Sequence, residues 1–267
     1  MILTKIKNRL IIFVSKLLYQ SRAYYYRCKN RKKKKIFIYT DSRGYEVSNL
    51  WNKKNPFSSY VGDLVKEYNV EYHICEYSST TIIDFLYEYY GEGTRGKKYD
   101  YVIAHVGLVD FSPRPRSMAN DIIKSKSHKI KFFKWDLRMF DKYLEREISS
   151  EIYNGELLSN LYDCEFLKNE IIPLLQNIPN LIYIGCNPII SNWRGNYWQD
   201  RPKDINRILM AYNSVMLTEL KEKKVVDIKD WNECDIRNYT VDNIHLNREG
   251  YNKITLNLKQ ILTKIKC

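Results

Sequence analysis

Two short stretches near opposite ends of this chain hold residues of the types that acyl-transfer chemistry uses. The first is Lys35-Ile-Phe-Ile-Tyr-Thr-Asp-Ser-Arg-Gly44, where a short apolar, β-branched run breaks at Asp41-Ser42-Arg43-Gly44. That pattern reads as a buried strand delivering Ser42 to its carboxyl end. A hydroxyl is a weak nucleophile and needs a base. The strong candidate lies in the second stretch, Asp242-Asn-Ile-His245, where His245 would take the serine proton and Asp242 would orient the imidazole. Their distance along the chain is no obstacle, because catalytic partners converge in space.

The elements between these stretches must bring them together. Pro56 to Asn69 reads as a helix, Val70 to Tyr77 as a second strand with Tyr72, Ile74 and Cys75 inward, and Ser79 to Tyr90 as a helix. Tyr99 to Val106 is a third strand whose near-continuous apolar run suits burial on both faces. Phe166 to Gln176 reads as a helix kinked at Pro173, Leu181 to Cys186 as a fourth strand, Asp204 to Lys221 as a helix, and Val225 to Ile228 as a short fifth strand. The last helix starts after Asn247, an N-cap residue, and buries Tyr251, Ile254, Leu258, Ile261, Leu262 and Ile265. This alternation predicts a doubly wound α/β fold, an about five-stranded parallel sheet with helices on both faces. Ligands of such sheets bind beyond the carboxyl ends of the strands. Four polar stretches fall there: Asp41-Ser42-Arg43, Ser78-Ser79-Thr80-Thr81, Gly107-Leu-Val-Asp110 and Asn187-Pro188. His73 and His105 fall within strands and read as core residues, whereas His128 lies among lysines and reads as solvated.

No Gly/Ser-rich or Pro-rich linker divides the 267 residues, so one domain over 35–267 with an extension over 1–34 is expected. The net charge of +13 implies attraction to anions. Zinc-ligand spacing, a helix-turn-helix pattern and an RNA-binding signature are all missing, so nucleic acid is not expected, and a membrane surface or an anionic substrate competes for that charge. Six cysteines without CxxC pairs, two of them (Cys75 and Cys186) in expected strands, imply reduced thiols and a cytoplasmic setting. No metal and no cofactor is implied.

Within the extension, Leu3, Ile6, Leu10, Phe13, Val14 and Leu17 recur at helical spacing, with Lys5, Arg9 and Lys16 opposite and Ile12 the exception. Its uncharged run, Leu10 to Ser15, is far shorter than the roughly 20 residues a membrane span needs. Lys16 also interrupts what would be the apolar region of a secretory signal. Two readings remain open: a basic amphipathic helix lying on an anionic leaflet, reinforced by Arg27, Lys29 and Arg31 to Lys35, or a helix packing its apolar face on the domain. The same face could hold a dimer together.

Asp-Ser after the first strand, Gly-x-x-Asp after the third, and Asp242-Asn-Ile-His-Leu-Asn-Arg-Glu-Gly-Tyr251 before the last helix resemble the SGNH (GDSL-type) hydrolases and their acyltransferase relatives. The resemblance runs from about Lys35 to the C-terminus and implies a flavodoxin-like architecture with Ser42 attacking an acyl carbonyl, His245 as base and Asp242 as its orienter. Two departures stand out. The family's Gly-Asp-Ser is Thr40-Asp41-Ser42 here, and its Gly-x-Asn-Asp is Gly107-Leu108-Val109-Asp110, in which Val109 cannot donate to an oxyanion. Loss of one such donor typically costs on the order of 10² to 10³ in rate. The family's second-block glycine matches Ser79, whose donor is a backbone N–H. Ser79, Thr80, Asn187 and the Ser42 N–H are candidate substitutes, Gly107 and Asp110 complete the third block, and Arg114 or Arg116 would favour a charged acyl substrate.

An aromatic and basic insertion at about 111–160 includes Lys129 to Tyr143, read either as a lid over the strand ends or as a satellite core around Trp135 and Phe140. In the stretch Asn192 to Arg201, Trp193 and Trp198 suit stacking on sugar rings, and Arg194 and Arg201 suit an anionic sugar. The Gly-Leu-Val-Asp variant followed by Pro113-Arg114 is similar to SGNH-type proteins of bacterial surface-polysaccharide synthesis. The expectation is a serine esterase or O-acyltransferase acting on an O-acylated carbohydrate, and its rival is a non-catalytic glycan-binding or scaffold protein on the same fold.

Overall fold

The apolar run that delivers Ser42 forms the strand β1 (Lys35–Thr40), paired in parallel with β2 (Asn69–Ile74) on one side and β3 (Tyr101–His105) on the other. The structure, a computed structural model, describes residues 2–263 apart from Glu92 and Arg95; the Leu3 side chain, Ile265 and Cys267 lie outside the described residues. Short strands β4 (Arg114–Pro115), β5 (Ile152–Tyr153) and β6 (Glu156–Ser159) make a separate antiparallel sheet, while β7 (Leu181–Ile184) and β8 (Lys224–Val226) complete the main sheet in the order β2-β1-β3-β7-β8. This is the doubly wound parallel sheet expected from the alternation, and its strand order reverses between β1 and β3, where a ligand crevice forms.

The helices in chain order are α1 (Ile2–Lys29), α2 (Tyr60–Glu67), α3 (Ile82–Tyr90), α4 (Leu108–Phe111), α5 (Arg116–Ser125), α6 (Ser127–Phe132), α7 (Leu137–Glu145), α8 (Cys164–Phe166), α9 (Ile172–Gln176), α10 (Ile205–Glu219), α11 (Glu233–Tyr239) and α12 (Arg248–Thr263). Alternate side chains of β1 feed two cores. Ile36 and Ile38 pack with α2 and α12, while Phe37 and Tyr39 face α3 on the other side of the sheet. In α12, Tyr251, Ile254, Leu258 and Leu262 are buried as the spacing predicts, Ile261 is half-buried, and Asn247 Oδ1 caps the helix by accepting from Gly250 N at 3.0 Å.

Several boundaries move for local reasons. Pro56–Ser58 is a separate 3-10 turn, and Ser59 caps α2 at Val61 N. α3 starts at Ile82 because Thr81 and Asp84 form a reciprocal capping box, and Ser79 sits at φ +50, outside helical geometry. β2 ends at Ile74: Cys75 adopts φ +48 and leaves the strand, and Tyr72 is half-buried where Val70 and Ile74 are core. Cys186 lies just past β7 and is still buried, its N–H donating to Asn213 Oδ1 at 3.0 Å. The helix over 166–176 is interrupted ahead of Pro173 by a π-turn at Leu167–Ile171, which absorbs the hydrogen bond that proline cannot donate.

Lys129 to Tyr143 is not a lid. Ile130, Trp135, Phe140 and Leu144 enter the core, Trp135 stacks on Phe133 at 4.7 Å and meets Phe166 edge-on, and Lys126 and Lys129 both pair with the buried Asp84 of the α3 cap. Nor does α1 pack its apolar face on the domain. Its buried contacts are Ser15, Tyr19 and the adjoining Asn30, whose side chain donates to Val65 O at 3.0 Å and Tyr68 O at 3.1 Å, and Ile6, Leu10, Phe13 and Leu17 face outward.

Candidate active site

β1 ends where Asp41 N donates to His105 O at 3.0 Å, and the chain turns through a 3-10 turn at Ser42–Gly44. Asp41 caps that turn at Arg43 N (3.0 Å) and grips the Arg43 guanidinium through Nε (3.0 Å) and Nη2 (2.8 Å). Arg43 is fully buried and reaches under the site to Gly185 O at 3.2 Å, tying the end of β1 to the end of β7. Burial alone would pull its pKa down, but Asp41 outweighs that and raises it, so the pair is ionic. Arg43 points inward and Ser42 faces the pocket. Gly44 is required: a Cβ there would come 2.2 Å from Thr40 Cγ2.

The base comes from the loop between α11 and α12, closed by an antiparallel bridge between Thr240 and Leu246 and by Val241 N donating to His245 O at 2.8 Å. Ser42 Oγ lies 2.9 Å from His245 Nε2, and His245 Nδ1 lies 2.8 Å from Asp242 Oδ2. The other carboxylate oxygen accepts from His245 N (2.8 Å) and Ile244 N (3.1 Å). Although burial works upward on Asp242, the hydrogen bonds and charge of His245 and then the charge of Arg201 hold its pKa below the usual carboxylate value. An ionised carboxylate only accepts, so Nδ1 carries the hydrogen, Nε2 keeps its lone pair, and the Ser42 O–H donates to it. This is the protonation pattern a serine nucleophile needs.

Ser42 and His245 open onto a pocket of about 250 Å³ walled by Val109, Arg114, Tyr153 and Arg201 among others. Of the sequence-assigned binding residues, Arg114 and Arg201 line it. Asp110 is buried behind it, where both carboxyl oxygens face Ile82 N (3.1 and 3.2 Å) and one accepts from Tyr162 O–H (2.8 Å), so it holds α3 in place and does not meet substrate. Burial pushes its pKa up to about 7 against the pull of Tyr162, Ile82 N–H and Arg114. Gly107 shapes the backbone: it sits at φ +112, and a Cβ would come 2.7 Å from Tyr183 Oη. Asn187 is a brace, its amide donating to Asn243 O at 2.8 Å under the histidine loop. Ser79 is half-buried outside the pocket lining, and among the described residues its N–H donates to no protein acceptor. Trp193 and Arg194 line a neighbouring pocket of about 420 Å³ that shares Tyr153 and Arg201 with the first. Their loop also buttresses the histidine loop. Gly195 crosses so close to it that a Cβ would come 2.2 Å from Val241 O, and Asn196 N donates to that oxygen at 2.9 Å.

Val109 lines the pocket with no donor to offer, as its type dictates. The Ser42 N–H beside the nucleophile has no protein acceptor among the described residues and is free for an oxyanion. Sequence reasoning missed the structural pairing of Arg43, the pinning of Asn243 at φ +76, and Tyr153 in the pocket wall. An arginine directly following the nucleophile at the end of an apolar strand was the available signal for the first; Tyr153 had none. Among the described residues no group of three or more His, Cys, Asp or Glu side chains could hold a metal ion.

No protein-family profile and no curated protein matches the chain significantly. Solved structures do. The lipase/acylhydrolase from Enterococcus faecalis superposes with a TM-score of 0.51 at 13% identity, covering 87% of this chain and 97% of that one. The fold is that of the SGNH hydrolases. A Lactobacillus plantarum protein (TM-score 0.48, 12% identity, 88% and 98% covered) and the M. smegmatis aryl esterase (0.47, 12%, 87% and 100%) are also similar. In the SGNH frame, Ser42 and Gly107–Asp110 stand at the β1/β3 switch point.

Proposed function

We propose that this protein is a serine-dependent ester hydrolase or O-acyltransferase acting on an O-acylated, most simply O-acetylated, carbohydrate, in the setting of surface-polysaccharide synthesis. The observation that carries the ester chemistry is the continuous relay from Ser42 Oγ through His245 to Asp242, opening on a pocket. Ser42 Oγ attacks the acyl carbonyl while Nε2 takes its proton, and the imidazolium formed is stabilised by Asp242. The Ser42 N–H receives the developing oxyanion. His245 then protonates the leaving sugar oxygen, and an acyl-enzyme remains. Water attacking that ester completes hydrolysis; a second sugar hydroxyl completes transfer. The adjoining pocket, with Trp193 and Arg194 in its wall, supports a carbohydrate on the alcohol side.

Val109 favours a second reading, a glycan-binding protein that has lost its turnover along with one oxyanion donor. Incubating the protein with O-acetylated mono- and oligosaccharides separates the two. Acetate release or acetyl transfer that depends on Ser42 supports the enzyme. Saturable binding of those sugars with no release, equal in the intact protein and in Ser42→Ala, would establish the binding protein instead.

A further inference from the structure

Arg114 lines the pocket that holds Ser42 and His245 and forms no ion pair among the described residues. Its Nη2 donates to Val109 O at 2.6 Å, its Nε is buried with no partner, and among the described residues no carboxylate lies within ion-pair distance. Asp110, the nearest acid in sequence, has its oxygens turned to Ile82 N and Tyr162. Burial lowers the Arg114 pKa to about 10, which leaves it charged at neutral pH. Arg201, in the lining of the same pocket, stacks on Tyr197 at 3.9 Å, donates to Asp242 O at 2.9 Å and lies 3.5 Å from Asp242 Oδ2, and its Nε is also buried without a partner. A buried guanidinium N–H without an acceptor is costly unless an anion completes it, and Arg201, unlike Arg114, already pairs with Asp242. The planar fork matches a carboxylate. We infer that the substrate carries a carboxylate that pairs with Arg114, with Arg201 as the second wall of the same subsite. The inference rests on the reading that Ser42 attacks an ester in this pocket.

Two sources of that carboxylate are separable: an acidic sugar, or a dicarboxylic acyl group. Binding is measured by calorimetry to Ser42→Ala, with glucuronate, succinate and neutral glucose as probes. Tighter binding of glucuronate than of glucose supports the acidic sugar, and tighter binding of succinate supports the dicarboxylic acyl group. In either case adding Arg114→Gln should erase the preference, a loss of about tenfold or more. Equal binding of charged and neutral probes, or a preference that survives Arg114→Gln, would overturn the subsite. Because Ser42→Ala needs no turnover, an inactive intact protein would count against the esterase reading and leave this measurement standing.

The 28-residue α1 turns its polar side, Ser15 and Tyr19, to the domain and leaves an apolar stripe of Ile6, Leu10, Phe13 and Leu17 exposed, Leu10 by 60% and Phe13 by 58%. Lys5, Arg9 and Lys16 follow one border of the stripe and Lys7 and Lys29 the other. The first 35 residues hold 12 lysines and arginines and no acidic residue. A second copy laid on this stripe would bring like charges together, whereas an anionic bilayer surface meets both the apolar face and its basic borders. We propose that α1 docks the protein on an anionic membrane surface, lying in its plane. Sedimentation with phosphatidylcholine vesicles, with and without phosphatidylglycerol, tests it. Binding should require the anionic lipid, weaken with salt, and fall about tenfold or more in Leu10→Glu with Phe13→Glu. Equal binding to both vesicle types, or a double variant that binds as well as the parent, would overturn it. So would a dimer on a sizing column that the same variant dissociates.

Discussion

Asp242→Asn isolates the tautomer argument, because the substitution is nearly isosteric and its geometry is fixed by two neighbours. In the native loop Oδ1 accepts from both Ile244 N and His245 N, and Oδ2 faces His245 Nδ1 at 2.8 Å. Only the oxygen of an asparagine can take the two backbone donors, so its amide nitrogen must face Nδ1. Two donors cannot share that contact. His245 therefore moves its hydrogen to Nε2, 2.9 Å from Ser42 Oγ, and the base becomes a donor toward the nucleophile it should deprotonate. The expected loss is on the order of 10⁴ in kcat at pH 7.5, about 5 kcal/mol of transition-state stabilisation. The fold should hold, since both backbone hydrogen bonds survive and Arg201 keeps its contact with the backbone carbonyl of residue 242 at 2.9 Å. The assay is steady-state hydrolysis of p-nitrophenyl acetate, with thermal unfolding as the control. A loss smaller than about tenfold at unchanged melting temperature would refute the assignment of Asp242 as the group that sets the histidine tautomer.

Val109→Asn restores a side-chain donor to the pocket wall and should raise kcat by up to about 10² on the same ester; an unaltered or lower kcat in a folded variant would show that backbone donors already suffice. Asp110 makes stability depend on pH. Its pKa is raised from 3.8 to about 7, so between these values the native state holds a proton that the unfolded chain has released. Its contribution is full below pH 4 and is lost as pH rises through 7, by up to about 4 kcal/mol. Asp110→Asn removes the effect, so the stability of the variant relative to the parent, from urea titrations, should rise between pH 4 and pH 8. An equal difference at both pH values would contradict the upward shift that burial imposes on Asp110.

The centre of the sheet was legible because β1, β3 and β7 are short apolar runs buried along nearly their whole length, whereas the edge strands β2 and β8 carry polar residues and are only partly buried. The convergence of Ser42, Asp242 and His245 was legible because Asp-Ser after an apolar strand and Asp-x-x-His before the last helix resemble the SGNH motifs. The binding residues were harder. Asp110 and Asn187 carry types that suit a substrate, yet Asp110 accepts from Ile82 N–H and Tyr162 O–H and Asn187 donates to the Asn243 carbonyl, which only the packed structure decides. Tyr153 arrives from a hairpin whose turn at Asn154 and Gly155 has no chemical signature of function. For Lys129 to Tyr143, aromatic and basic composition fitted a lid and a core equally, and the choice was made by the buried Asp84, which draws in Lys126 and Lys129 together. The outward apolar stripe of α1 was visible as a period, but its direction depends on which side meets the domain.

If the proposed chemistry holds, Ser42 is an activated nucleophile. Labelling with a fluorophosphonate probe, comparing the intact protein with Ser42→Ala and His245→Ala, tests it most directly, because the probe traps the serine alkoxide without requiring knowledge of the natural ester. The relay observed here predicts labelling of the intact protein that disappears in both variants. Absence of labelling in the folded intact protein, or labelling that persists in His245→Ala, would contradict it.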